Sequence, residues 1–398
     1  MAYLSRLRFS SQLNPRRYFS SILNPDSSTP LTSKQKSKAA LSLLKSEKNP
    51  EKILDICRAA SLHPDYPLDR TAFVVAISKL TDSKSFDGIR CYLEKLKARP
   101  DLKNERFHCN AIVYYGRAGM LDHSIKTFQE MGDLGIAATT KSLNALLSAC
   151  IASKKYDEVN RIFLEYPDSY NLKPDVDTYN AVIKGFCESG SSNSVYSVLD
   201  EMEKKGCRPN STTFGTIFTG IYKENFFADV EKVLEIMKKH GVSQGVAIYN
   251  IRILGLCKYK SASEGKALFE EMLLRGVKPN AVSFHHLIHG FSKERKFEEA
   301  KRLLNDMAKH GCAPNNDCYF SLVYYLCQGG DFVSALEFCK ESMSKGWFPN
   351  FSTMKMLVNG LVSSSKVDEA KDLIGQVKEK FPNKADQWKE IEEGLAPQ

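Results

Sequence analysis

Apolar residues in 176–210 fall at Tyr179, Val182, Ile183 and Phe186, the i, i+3, i+4, i+7 spacing of one helical stripe. In 281–315 a second stripe of the same kind runs through Ala300, Leu303, Leu304 and Met307. Gly311 then offers a residue able to turn left-handed, and Pro314 cannot continue a helix. The pattern predicts a unit of helix, short turn, helix and sharp turn. Such a hairpin is apolar on both sides and buries that surface only by stacking on neighbours.

The unit recurs every 35 residues. Glycine marks Gly206, Gly241, Gly276, Gly311 and Gly346, and methionine marks Met202, Met237, Met272 and Met307. An aromatic series runs Tyr179, Phe214, Tyr249, Phe284 and Tyr319, and a second glycine series runs Gly185, Gly220, Gly255, Gly290 and then Gly360. Proline falls at Pro174, Pro209, Pro279, Pro314 and Pro349, with Gln244 in the missing slot. These registers place an array of about ten repeats over 35–385, clearest in 140–350. Further N-terminal members are expected at 106–139 and, more weakly, at 70–105 and 35–69. Residues 386–398, which include Trp388 and Ile391, are expected to cap the last helix pair.

The segments "VDTYNAVIKGFCESGSSNSVYSVLDEMEKKGCRPN" at 176–210 and "AVSFHHLIHGFSKERKFEEAKRLLNDMAKHGCAPN" at 281–315 resemble pentatricopeptide repeats of the plain 35-residue type. The tetratricopeptide repeat, a peptide binder of period 34, lacks the in-phase methionine and glycine series. The resemblance implies an all-α fold, a right-handed α-solenoid superhelix that holds single-stranded RNA in its concave groove at one base per repeat. It further implies that the fifth and last residues of each repeat read the base. Those pairs are Asn144 with Asp175, Asn180 with Asn210, and Asn250 with Asn280, followed by Gly215 with Gly245, His285 with Asn315, Phe320 with Asn350 and Lys355 with Ala385. By the same resemblance, asparagine with aspartate reads uracil and asparagine with asparagine reads a pyrimidine, so three pairs are legible. The second position, where the family favours valine, holds Lys141, Asp177, Thr212, Ala247, Val282, Asp317 and Ser352.

Lys223, Lys258 and Lys293 share one phase near the ends of three successive first helices, where the resemblance implies contact with RNA phosphate. Lysine is also favoured there by the helix dipole alone. Asn144, Asn180 and Asn250 have local capping as their alternative role, because asparagine bonds nearby backbone readily. His285, His286 and His289 form a His-His-x-x-His group without a third ligand or general base beside it, and read as residues lining a groove or interface. Cys187, Cys257 and Cys327 recur at one repeat position, Cys207 and Cys312 at another, and read as small packing residues.

Composition sharpens this in three ways. The 398 residues, 42% hydrophobic and 26% charged, contain no uncharged apolar run of the roughly 18 to 20 residues that a membrane-spanning helix needs. Eleven cysteines with no Cys-x-x-Cys pair indicate neither a disulfide framework nor a zinc ribbon, and with no His-x-Glu the zinc-deaminase signature is absent from the sequence. The net charge of +9 is biased to the start, where Arg6, Arg8, Arg16 and Arg17 stand in residues 1–33 against the single acid Asp26. That is the composition of an organelle transit peptide, and Arg17-Tyr18-Phe19-Ser20 resembles a plant mitochondrial processing site cleaved after Phe19. Residues 1–19 are thus expected as a transit peptide and 20–34 as a linker.

The sequence leads to a non-catalytic protein of the mitochondrial matrix, without cofactor, metal site or small-molecule substrate. It would bind single-stranded messenger or ribosomal RNA in organellar RNA stability, processing or translation. The alternative is a constitutive part of the mitochondrial ribosome or another ribonucleoprotein, with ribosomal proteins as further partners.

Overall fold

The computed structural model describes residues 33–61, 70–347, 350–380 and 388–389. The expected transit peptide and most of the expected linker lie outside them, although Ser33 and Lys34 already belong to the first helix. Among the described residues there are twenty α-helices, paired into ten hairpins, and no strand. The chain forms two compact units, Met1–Arg208 and Pro209–Gln398.

The first unit holds α1 (Ser33–Ser46) with α2 (Pro50–Ala60), α3 (Arg70–Asp82) with α4 (Phe86–Lys97), α5 (Glu105–Arg117) with α6 (Leu121–Asp133), α7 (Thr140–Ala152) with α8 (Tyr156–Ser169), and α9 (Val176–Ser189) with α10 (Val195–Lys204). First helices stack on first helices, α5 on α7 and α7 on α9. Asn104 caps α5, so that repeat begins at Glu105, one residue ahead of the expected boundary. The extra residue sits at the end of the next hairpin. There Pro167 lies inside α8, and the left-handed turn falls on Asn171, with the Leu172 amide donating to the Pro167 carbonyl at 2.7 Å.

The second unit holds α11 (Ser211–Lys223) with α12 (Asp229–Lys239), α13 (Val246–Tyr259) with α14 (Ala262–Leu274), α15 (Ala281–Lys293) with α16 (Phe297–Asp306), α17 (Asn316–Gly329) with α18 (Phe332–Ser344), and α19 (Phe351–Ser363) with α20 (Val367–Lys380). Its in-phase residues have distinct jobs. Tyr249, Phe284 and Tyr319 and Met272 and Met307 form one buried core. At Gly276 the backbone takes φ of 73°, so the Val277 amide can reach back to the Met272 carbonyl at 3.0 Å and close the second helix. The other glycine series marks close approach: a Cβ at Gly255 would stand 2.5 Å from Cγ of Tyr222. Where proline is missing, Gln244 accepts from Nη1 of the buried Arg252 at 2.7 Å, beside the rings of Phe218 and Tyr249. Trp388 is buried against Phe351, with ring centroids 4.9 Å apart; of the expected cap at 386–398, only residues 388 and 389 are among the described residues.

Candidate nucleic-acid interface

A first helix begins where the preceding repeat ends, so the closing residue of each repeat is the N-cap of the next helix. Asp175, Asn210 and Asn280 all sit in extended backbone there and accept from the amide three residues on, Thr178 at 2.8 Å, Thr213 at 3.0 Å and Ser283 at 3.1 Å. The hydroxyl or amide chemistry is reciprocal, since Thr178, Thr213 and Ser283 each accept from the cap's own N–H. Local capping thus belongs to the closing residues, and not to Asn144, Asn180 and Asn250, to which the sequence alone offered it. The signal was available: Asp175, Asn210 and Asn280 are each followed three residues later by Thr or Ser.

In the first unit Asn144 Nδ2 donates to Asp175 Oδ1 at 3.1 Å. Burial pushes the Asp175 carboxyl upward, but hydrogen bonds from the Thr178 backbone, Asn144 and the Thr178 hydroxyl outweigh it and leave it below its usual value. An ionised carboxylate can only accept. It therefore fixes the Asn144 amide with N–H toward Asp175 and Oδ1 turned away, and that oxygen is buried without a protein partner.

The second unit repeats the pair with a difference. Asn250 Nδ2 donates to Asn280 Oδ1 at 3.1 Å, yet Asn250 Oδ1 already accepts from Ser283 Oγ at 2.6 Å. Asn250 is only 7% exposed. Its amide is engaged on both sides. Asn180 and Asn210 fall in different units; Asn180 is buried in the first and Asn210 caps α11 in the second. At Gly245 the closing residue caps α13 with no side-chain bond.

Lys223 and Lys293 are the last residues of α11 and α15, Lys258 is the last but one of α13, and all three are exposed. The histidines face hydroxyls on α17 and do not converge on one point. His285 Nε2 lies 3.1 Å from Ser321 Oγ, and His289 Nε2 lies 3.3 Å from the Tyr325 hydroxyl. Burial, then the neighbouring His285 and His289, push His286 down to about 4. Among the described residues no group of three His, Cys, Asp or Glu side chains could hold a metal ion. Cys187, Cys257 and Cys327 are buried thiols, and Cys207 and Cys312 are half-buried.

Two descriptions of known repeats match this chain: the PPR repeat family at 174–223 and 280–328, and the PPR repeat at 111–136, 247–277 and 352–380. A mitochondrial pentatricopeptide repeat-containing protein of Arabidopsis thaliana is 55% identical over 99% of each chain. A small ribosomal subunit protein of the same plant, mS79, is 32% identical over 52% of each. The crystal structure of the pentatricopeptide repeat protein PPR10 with an 18-nucleotide RNA element has 16% identity and a TM-score of 0.48, covering 94% of this chain and 59% of that one.

Proposed function

From a chain that belongs to the pentatricopeptide repeat family, we propose a mitochondrial protein that binds single-stranded RNA without catalysis and so acts in organellar RNA stability, processing or translation. The observation that carries the reading is the Asn144–Asp175 pair. Its carboxylate orients the amide, leaving at a fixed height on the first-helix stripe one acceptor without a protein partner, buried in this state, which RNA would have to uncover. Such an acceptor matches a base-edge donor, the N3–H of uracil or the amino group of cytosine. Asn250 with Asn280 would read a further pyrimidine, and Lys223, Lys258 and Lys293 would follow the phosphates. In Asn250 the Ser283 hydroxyl would first have to release the amide oxygen.

A second reading, a constitutive component of the mitochondrial ribosome, draws on the similarity to mS79 and on the loss of any side-chain pair at Gly215 and Gly245. One experiment separates the two. RNA crosslinked to the native protein in mitochondria should centre on messenger RNA, with a pyrimidine at the Asn144 register that Asn144→Ala no longer selects. Crosslinks that centre on ribosomal RNA, unchanged by Asn144→Ala, with co-sedimentation on ribosomal subunits after messenger RNA is digested, would replace the first reading by the second.

A further inference from the structure

The stripe that carries the Asn250 amide on α13 changes character in the next two first helices. On α15 it presents His285, His286 and His289, and 35 residues on, α17 presents Phe320, Ser321 and Tyr324, with Tyr325 beside them. All six rings are half-buried. Five of them form one connected surface, His285 to His286 at 5.7 Å, His285 to His289 at 6.2 Å, His289 to Tyr325 at 5.4 Å and Tyr325 to Tyr324 at 5.1 Å between centroids, and Phe320 packs against the core one turn before Tyr324. Val282, 43% exposed, extends it at the start of α15.

We propose that this ring surface on α15 and α17 is a stacking platform for unpaired nucleobases, one that holds RNA at these repeats by base faces with little regard to base edges and favours purines for their larger area. The inference rests on the RNA-binding reading above. Three observations lead to it. The Nε2 atoms of His285 and His289 are committed inside the protein, to Ser321 and Tyr325, which leaves fewer edge groups for a base. Burial and mutual repulsion favour the neutral imidazoles, which suits stacking more than ion pairing. The exposed ammonium of Lys293 ends α15 and that of Lys258 lies in the last turn of α13, so positive charge is available near the rings for the phosphates that join stacked bases. Asp317, at the start of α17, is the acid that acts on His285. Aromatic stacking tolerates any base, because every base has a π face.

The test uses the full chain and three probes: oligo(A), oligo(U), and oligo(A) carrying 2-aminopurine. Phe320→Ala with Tyr324→Ala should weaken oligo(A) binding about tenfold and oligo(U) binding less, leave the salt slope unchanged, and abolish quenching of 2-aminopurine. Tyr324→Phe keeps the ring and should bind as wild type, which separates stacking from the hydroxyl. If the double variant still binds and quenches as wild type, while Lys223→Glu with Lys258→Glu and Lys293→Glu loses RNA, the platform is refuted and RNA binding stands. If wild type binds none of the probes, RNA binding itself fails and the platform with it. Unchanged RNA affinity together with lost co-sedimentation on ribosomal subunits would make the rings a protein-docking surface and overturn the proposal.

Discussion

The repeat that closes on Asp175 and the two that span 281–350 share one frame and offer a ligand different things. In the first, a carboxylate that caps a helix also orients an amide, and one oxygen is left over. In the others the fifth position is His285 or Phe320, the closing residues Asn315 and Asn350 keep their capping bonds to the Cys318 and Thr353 amides, and no amide stands above them. The cap is therefore present where the proposed reading amide is absent. Folding holds the closing residue in place, and only RNA contact would hold the fifth, so the two positions of a pair are free to drift apart.

The widest break to the comparison is electrostatic. Reversing Lys223, Lys258 and Lys293 to glutamate should weaken binding to amide and ring repeats alike, on the order of 100-fold at low salt, flatten the salt dependence and leave the helical circular dichroism unchanged. Binding indifferent to the reversal would show that the lysines only end their helices. Next in size, Asp175→Ala should cost about 1 kcal/mol in urea unfolding through the lost cap of α9 and also erase the pyrimidine preference at the Asn144 register. Asp175→Asn should restore the stability and not the fixed amide orientation, because the side chain can now donate as well as accept. A preference that persists in Asp175→Ala would detach reading from the pair.

A smaller effect sharpens the ring side. The folded-state value of His286, about 4, lies below the 6.5 of a free imidazole. Between those values the unfolded chain binds the extra protons, so stability is lost as pH falls from about 6.5 toward 4. His286→Gln should make the pH dependence of the urea midpoint shallower in that window and leave it alone above pH 7. The acid Asp317 opposes the shift at His285 and Lys293 adds to it at His289, so the three rings will titrate as a group. Smallest of all, Gly245→Asn should gain a few tenths of a kcal/mol by supplying the cap that α13 lacks, since a Cβ there meets nothing within 4 Å.

Five registers in phase made the solenoid legible, because each in-phase residue meets the same neighbours in every hairpin. Legibility fades where those residues are replaced. His108 fills the aromatic slot of α5, and the preceding turn carries no proline at that phase, which is how the boundary at Glu105 slipped by one. The proposed pairs could be named from the sequence, but their hydrogen-bonded state could not. That Asn144 keeps a spare oxygen and Asn250 does not depends on whether the next hydroxyl turns only to its own cap, as Thr178 does, or also across to the amide, as Ser283 does. No spacing rule encodes that choice. The ring surface was equally hidden, because Phe320 and Tyr324 carry no motif until α15 is laid beside them.

The double duty of the closing residue has a consequence for heredity. A codon change at Asp175 or Asn280 alters the letter the protein would recognise and, in the same event, the closure of the following hairpin. Side chains with a short acceptor, Asn, Asp, Ser or Thr, pass the second requirement cheaply, as does glycine, at Gly245, for a few tenths of a kcal/mol. The vocabulary at that site is then set by folding before any transcript is consulted. New target words should be acquired through the fifth residue, and an engineer who wishes to rewrite this protein's text should begin there and leave the punctuation alone.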